Sequence, residues 1–287
     1  MIGIVLSGGK GTRLYPTTRA FSKQLLPIYD KPMVYYPIAT LMAAGIQDIL
    51  IVSTPQDLHL FERLLGNGSE YGVKFTYKVQ ENPRGIAEVF DICSSEIKGK
   101  KVCLVLGDNF FHGTGLGREL NKYSNVVGAH LFGYSVSNPT EYGVLELSQN
   151  GKIISLEEKP KLPKSRLAIP GLYFYDEHVL DIAKKIKASD RGELEITDVN
   201  KEYLAIGSLS ASILPRGTAW FDTGSHDSIL DAGNYVRILE KRQGIKVACL
   251  EELGWTQGWI SNKELINLAR DPKRVGIKEY LDSLLVR

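Results

Sequence analysis

The segment Ile2–Arg13, IGIVLSGGKGTR, decides the fold. Its first five residues are an unbroken apolar run of β-forming side chains, ended by Ser7-Gly8-Gly9. A run of that length without polar alternation predicts a strand buried on both faces that opens into a loop. The unit recurs downstream. QDILIVS (Gln47–Ser53) and KVCLVL (Lys101–Leu106) read as further buried strands, and Val73–Val79 as an alternating one. Helical patterns fall between them, at Lys31–Ala44, Gln56–Leu65 and Ile86–Ile97, with a Gly-rich surface loop at Gly66–Gly72. For the first helix Asp30 is the expected cap, Pro32 lies in the first turn, Gly45 is the stop and Pro37 is expected to produce a kink. Strands alternating with helices predict a parallel sheet covered on both faces, the doubly wound α/β class.

The pattern changes after Asn125. Val126–Tyr134, Gly143–Ser148 and Lys152–Glu157 read as strands, the last two joined by an Asn150-Gly151 hairpin turn. Gly171–Tyr175, Ser208–Leu214 and Thr218–Phe221 read as strands too, and Glu177–Lys187, Ile196–Ala205 and Ser225–Arg242 as helices. No low-complexity linker or internal repeat interrupts the chain. The expectation is therefore one mixed, mostly parallel sheet over residues 1–250, in parts of about 1–125 and 126–250, with a helical annex at 251–287.

The chain has 287 residues, 43% of them hydrophobic and 24% charged, which places it among globular proteins large enough to fold without disulfides or a structural metal. A net charge of +2, with Lys and Arg spread along the chain, argues against nucleic acid as a partner. Cys93, Cys103 and Cys249 sit in apolar surroundings without metal spacing and read as core residues. The five histidines, His112 and His226 among them, also lack metal spacing. The start carries no signal-peptide pattern, and no apolar run reaches the length of a membrane span, so the expected location is the cytoplasm, with no membrane partner.

Ligands of open α/β sheets bind beyond the carboxyl ends of the strands. The first such end carries Gly8, Gly9 and Gly11, whose backbone can approach a phosphate, with Lys10 and Arg13 as adjacent cations. Two familiar phosphate loops do not fit. The P-loop needs Lys and then Ser or Thr after its last glycine, and the third glycine of a dinucleotide fingerprint would fall on Leu14. The loop alone leaves phosphate binding and a plain structural turn both open.

The longer string from Gly8 to Pro37, GGKGTRLYPTTRAFSKQLLPIYDKPMVYYP, resembles the opening of the sugar-nucleotide pyrophosphorylases, in particular their short-chain thymidylyltransferases. GKGTRLYP (Gly9–Pro16) and SKQLLP (Ser22–Pro27) carry the opening signature. LVLGDN, EYGV, LEEKP, GLYFYD, RGELEITDVN and WFDTGSHDSILDAG follow in order from Leu104 to Gly233. The resemblance implies transfer of a thymidylyl group from dTTP to α-D-glucose 1-phosphate, with Mg2+ as cofactor and pyrophosphate as the second product. It also implies a homo-oligomer, a tetramer, serving deoxysugar biosynthesis. The first part of the core would take the nucleotide and the second the sugar phosphate.

Such a reaction needs little acid–base help, because a sugar phosphate is largely ionised near neutral pH. The obstacles are bringing two polyanions together and neutralising the leaving pyrophosphate, which calls for positioning and cations. By resemblance Arg13 stabilises the leaving phosphates, Lys23 reaches them from the other side, and Asp108 and Asp222 hold the metal. Read without it, the alternative for Arg13 and Lys23 is a solvated surface cation, against which stand the three glycines beside Arg13 and the apolar setting Phe21–Leu26 of Lys23, and the two aspartates are helix caps or metal ligands. Gly8, Gly9, Gly11, Thr12, Gln80 and Gly85 are the remaining nucleotide candidates, Gln80 reading a pyrimidine edge through its amide. Glu88 stands where the family commonly has Gln. For the sugar phosphate the candidates are Lys23, Asp108, Asn109, Tyr142, Gly143, Glu158, Lys159, Gly171 and Tyr173. A uridylyltransferase is the nearest rival, since uracil presents the same hydrogen-bonding edge. An idle sugar-nucleotide-binding homologue is a second. A metal-dependent glycosyltransferase would carry Asp-x-Asp, which Gly107-Asp108-Asn109 is not.

Overall fold

The computed structural model describes residues 1–9 and 11–286. The chain opens with strand β1 (Ile2–Leu6), single 3-10 turns at Thr12–Leu14, Thr17–Arg19 and Lys23–Leu25, and a small hairpin of β2 (Pro27–Ile28) and β3 (Lys31–Pro32). Helix α1 (Tyr35–Ala43), β4 (Asp48–Ser53), α2 (Leu58–Leu65) and β5 (Lys74–Val79) follow. Then come α3 (Val89–Ile92), α4 (Ser94–Ile97), β6 (Val102–Leu106), β7 (Asn109–His112), α5 (Leu116–Asn121) and β8 (Ala129–Ser135). The second half holds β9 (Gly143–Leu147), β10 (Ile153–Glu158), β11 (Leu167–Ala168), β12 (Leu172–Tyr175), α6 (Val179–Ala183) and α7 (Ile196–Ala205). Strands β13 (Leu209–Ile213) and β14 (Ala219–Asp222) lead to α8 (His226–Gln243), α9 (Leu250–Thr256), α10 (Asn262–Arg270) and α11 (Lys278–Leu284).

Ten strands form the central sheet, in the order β10-β9-β11-β8-β12-β6-β1-β4-β5, with β13 also paired to β8. Strands β5, β4, β1 and β6 are mutually parallel, and β12 then joins β6 antiparallel to extend the sheet into the second half. This is the expected mixed, doubly wound architecture. Every residue of β1 is buried, as its unbroken apolar run requires. Successive strand side chains point to opposite faces, so one face gives Val5, Ile51, Val105 and Phe174 to one core. The other face gives Ile4, Val52, Leu104 and Tyr175 to a second. All three cysteines are free and buried.

Helix α1 differs from its expected form. Lys31 and Pro32 pair with β2 instead of starting a helix, and the Asp30 carboxylate bonds Lys31 and Lys246 instead of a helix terminus. The helix starts at Tyr35, which puts Pro37 in its first turn, where a missing N–H costs no hydrogen bond and forces no kink. The stretch Ile86–Ile97 is a 3-10 turn and two short helices that break at Cys93. Strands β7 and β11, helix α5 and the β2–β3 hairpin carry no clear sequence signal. Leu250 of α9 packs in a central core, whereas Ile260, Leu265, Ala269, Leu281 and Leu284 form a small cluster of their own.

One buried polar group gives the fold a pH dependence. His130 on β8 stacks on Tyr123 with ring centroids 3.7 Å apart, and its ring nitrogens meet the hydroxyls of Ser210 and Ser212 on β13 at 2.8 and 3.0 Å. Burial lowers its pKa to about 4. The unfolded chain, with a histidine pKa near 6.5, takes up a proton that the fold rejects. The contribution of His130 is therefore complete above about pH 6.5 and declines towards pH 4, by at most about 1.4 kcal/mol per pH unit. Urea unfolding of wild type and His130→Gln at pH 7 and pH 5 should show the smaller pH effect in the variant. Equal pH effects in both would remove His130 as the cause.

Candidate active site

In the parallel half of the sheet the chain passes from β1 outwards to β4 and β5, then returns on the other side of β1 as β6. The carboxyl ends of β1 and β6 therefore flank the point where strand order reverses, the usual crevice for a ligand. Leu6 pairs with Leu106, and the Gly107 N–H donates to the Leu6 carbonyl at 2.8 Å. The loop of Gly8 and Gly9 thus lies beside Gly107-Asp108-Asn109.

Gly11, in the left-handed region at φ 56°, opens the turn Thr12–Leu14 and is tied by Thr18 Oγ1 donating to its carbonyl at 2.8 Å. Leu14 is fully buried and anchors the turn. Thr12 and Arg13 face outward, the Arg13 side chain 61% exposed, with its guanidinium 3.7 Å from Glu141 and close to Gly224. Lys10 lies outside the described residues. Lys23, from the turn Lys23–Leu25, forms a mostly buried ion pair with Asp108. Gln80 follows β5, is buried, and lies so near Gly8 that a Cβ there would strike its side-chain oxygen. Gly85 has φ 112°, and a Cβ on it would meet the Leu194 backbone nitrogen at 2.5 Å. Packing against Leu194 is thus enough to require glycine there.

Asp108 and Asp222 come together through a two-stranded ribbon in which β14 pairs antiparallel with β7, Asp222 opposite Asn109. The Thr223 N–H and hydroxyl both donate to the Asp108 carbonyl, at 3.0 and 2.6 Å. Neither aspartate is a helix cap. Ser225 caps α8 with a complete capping box to Ser228, and Asp108 lies in the turn between β6 and β7. Burial works against ionisation of Asp108, but Lys23 and the Asn109 amide outweigh it and hold the carboxyl below its ordinary value. For Asp222, burial and then the charge of Asp108 push the pKa up to about 6, although Lys23 and Arg13 pull the other way. Among the described residues nothing donates a hydrogen bond to the Asp222 carboxylate.

Beside this pair lies an open cavity lined by Asn109, Tyr142, Gly143, Glu158, Lys159, Gly171, Tyr173, Trp220 and Asp222. Asn109 is a bracket within the wall. Its Oδ1 accepts from the Gly171 N–H at 2.9 Å and from Trp220 Nε1 at 2.7 Å, and its Nδ2 donates to Asp108 at 3.0 Å. Glu158 ends β10, accepts from Thr197 Oγ1 at 2.5 Å and lies 3.6 Å from Arg191. Lys159 is exposed, and its backbone takes the left-handed region at φ 43°, unusual for a residue with a side chain. Among the described residues its ammonium has no partner. Gly9 and Lys23 open instead onto a second cavity, lined also by Thr18, Asp57, Glu81 and Asn82.

The sequence reading missed Glu141, Thr197, Trp220 and Arg191 as parts of this site. All lie in or beside quoted motifs, EYGV, RGELEITDVN and WFDTG, and the four-residue spacing of Arg191 and Glu195 was the visible sign of their ion pair.

Comparison with known proteins agrees with this geometry. A family model described as Nucleotidyl transferase matches residues 2–237. The chain is 53% identical to a glucose-1-phosphate thymidylyltransferase of Mycolicibacterium smegmatis, over 100% of both chains. It is 49% identical to the enzyme of that name from Neisseria meningitidis, over 99% of both. A solved UDP-glucose pyrophosphorylase complexed with UDP-glucose shares the fold, with a TM-score of 0.73 at 23% identity, over 84% of this chain and 99% of that one. With the family model spanning the sheet and both loops of the crevice, the chain belongs to the nucleotidyl transferase family.

Proposed function

We propose that the chain joins dTTP to α-D-glucose 1-phosphate, forming dTDP-glucose and releasing pyrophosphate. The observation that carries the reading is the meeting of the loop Gly8–Arg13 with Asp108 and Asp222, at the mouth of the cavity that holds Glu158 and Lys159. Relatives of that name, alike along the full length, support the choice of substrates. UTP is the rival nucleotide. It differs from dTTP at the base by one methyl group, worth only about 1–3 kcal/mol in an apolar pocket. A matrix of nucleoside triphosphates against sugar 1-phosphates, read by pyrophosphate release, tests the reading, and a chain that only binds sugar nucleotides would release none.

In this proposal the glycine loop holds the triphosphate, and a phosphate oxygen of glucose 1-phosphate attacks the α-phosphorus. The new O–P bond forms as the bond to pyrophosphate breaks, and no side-chain nucleophile takes part. Arg13 neutralises charge growing on the leaving group. Lys159, without a partner among the described residues, receives the sugar phosphate, and Glu158 accepts from a sugar hydroxyl, oriented by Thr197.

Asp108 and Asp222 are the residues that would hold Mg2+. Two adjacent carboxylates, one of them lacking a donor among the described residues, suit a hard cation that takes one or two carboxylates and completes its shell with phosphate and water. Bound there, the ion supplies charge neutralisation for the nucleotide phosphates. A cytoplasmic homotetramer belongs to the same proposal. Leu230 and Ile238, exposed on α8, are apolar groups that an interface between copies would cover.

Arg13→Ala should lower kcat by about 100-fold or more, with much smaller changes in substrate binding, because the contact matters most in the transition state. A near-normal rate at saturating substrates would sink the assignment.

Asp108→Asn and Asp222→Asn should each stay folded, lose most activity and regain part of it at high magnesium. For Asp222 the proton is a competitor, so wild-type activity should fall below about pH 6 and the fall should move to lower pH as magnesium rises. An acid limb indifferent to magnesium, with active Asn variants, would remove both aspartates from the metal.

Lys159→Ala should weaken glucose 1-phosphate in calorimetric titration while leaving dTTP binding nearly intact. Equal losses for both ligands would show that Lys159 shapes the whole site.

A further inference from the structure

The fold gives the Glu88 carboxylate an unusually complete set of partners. The residue is buried directly under the loop Gln80–Gly85. Its Oε2 accepts from Gln80 Nε2 at 2.9 Å and from the Arg84 backbone N–H at 3.1 Å. Its Oε1 accepts from Arg84 Nε at 2.8 Å and forms an ion pair with Arg84 Nη2 at 2.7 Å. The Arg84 guanidinium is 67% exposed, so one end of the pair is hydrated while the carboxylate end is not. The Arg84 carbonyl accepts from the Leu194 N–H at 2.7 Å and the Ala87 N–H donates to the Leu194 carbonyl at 3.1 Å, which fixes the loop to the body of the protein.

An ionised carboxylate only accepts hydrogen bonds. Against Glu88 the Gln80 amide therefore has one orientation, nitrogen towards Glu88 and oxygen away from it. That oxygen points at the glycine loop, beside Gly8, and among the described residues it receives no hydrogen bond. A Gln at 88 would impose no such choice, because an amide can donate or accept.

We propose that Glu88, clamped by Arg84, is a positioning residue that locks Gln80 with its carbonyl oxygen towards the nucleotide and so selects imide bases against cytosine. The inference rests on Gln80 reading the base. Thymine and uracil present an N3–H donor to that oxygen. Cytosine presents a bare N3 acceptor, so two acceptors would face each other in a site with little water. An acceptor left facing an acceptor discriminates strongly, whereas a methyl group discriminates weakly. The lock therefore accounts for rejection of dCTP and is indifferent between dTTP and UTP.

The test measures kcat/KM for dTTP, UTP and dCTP in wild type, Glu88→Gln, Arg84→Ala and Gln80→Ala, with circular dichroism to verify folding. In Glu88→Gln the preference for dTTP over dCTP should fall by about tenfold or more, through KM more than kcat, while the dTTP to UTP ratio stays constant. Arg84→Ala, a change at an exposed side chain, should shift the same ratio in the same direction and decides the matter if Glu88→Gln does not fold. A merely structural role for Glu88 would lower all three nucleotides together and leave their ratios intact. Loss of dCTP rejection in Gln80→Ala, with the ratio unchanged in folded Glu88→Gln and Arg84→Ala, would overturn the lock and leave the base contact standing. An unchanged ratio in Gln80→Ala would remove the base contact and the lock together.

Discussion

The pairing of β1 with β6 is the constraint on which the site depends. The two strands run parallel with Leu6 opposite Leu106, and the hydrogen bond from Gly107 to the Leu6 carbonyl continues the pairing past their ends. Two loops that begin a hundred residues apart in the chain are thereby brought side by side. One carries flexible glycine backbone and a cation, the other a carboxylate and an amide. Neither loop is a site alone, and sheet register, fixed by two buried apolar faces, sets the distance between them.

A second pairing adds what the first cannot. The ribbon of β7 and β14 carries Asp222 back from the far end of the chain and sets it opposite Asn109. The resulting cluster is costly to build. Two partly buried carboxylates stand side by side, one kept ionised by Lys23 and the other driven towards its neutral form. Burying like charges in this way destabilises a fold unless something binds there. A cation and phosphates supply the missing partners in the proposed reaction, so the electrostatic cost of the free protein is the counterpart of its affinity for them.

Around this centre, several side chains fix the direction of their neighbours. Asn109 joins Gly171, Trp220 and Asp108. Thr197 and Arg191 lie against Glu158, and Glu88 with Arg84 holds Gln80. In each case a flexible polar side chain is left few orientations. Catalysis by positioning depends on that restriction, because a group already oriented has little entropy left to lose when the substrate arrives.

The sequence by itself determined the strands built on an unbroken apolar run, because such a run is stable only between two covered faces. β1, β4 and β6 were legible for that reason, and helix α7 matched its expected Ile196–Ala205 span at both ends. The glycine loop, the cations Arg13, Lys23 and Lys159, and the aspartates Asp108 and Asp222 were singled out through a recognisable order of motifs, and their roles belong to the proposed reaction. Pairing between distant segments was not. β7 is four residues long and exists because β14 lies against it, and Lys31-Pro32 extends because β2 offers a partner where local signals favoured a helix. Helix capping by Asp108 or Asp222 remained open in the chain and closed only in the fold, where Ser225 caps α8 and Asp108 lies in a strand-to-strand turn. Local sequence fixes what a segment prefers, while hydrogen-bond partners, buried charges and side-chain direction depend on which segments meet, and only the tertiary structure decides that.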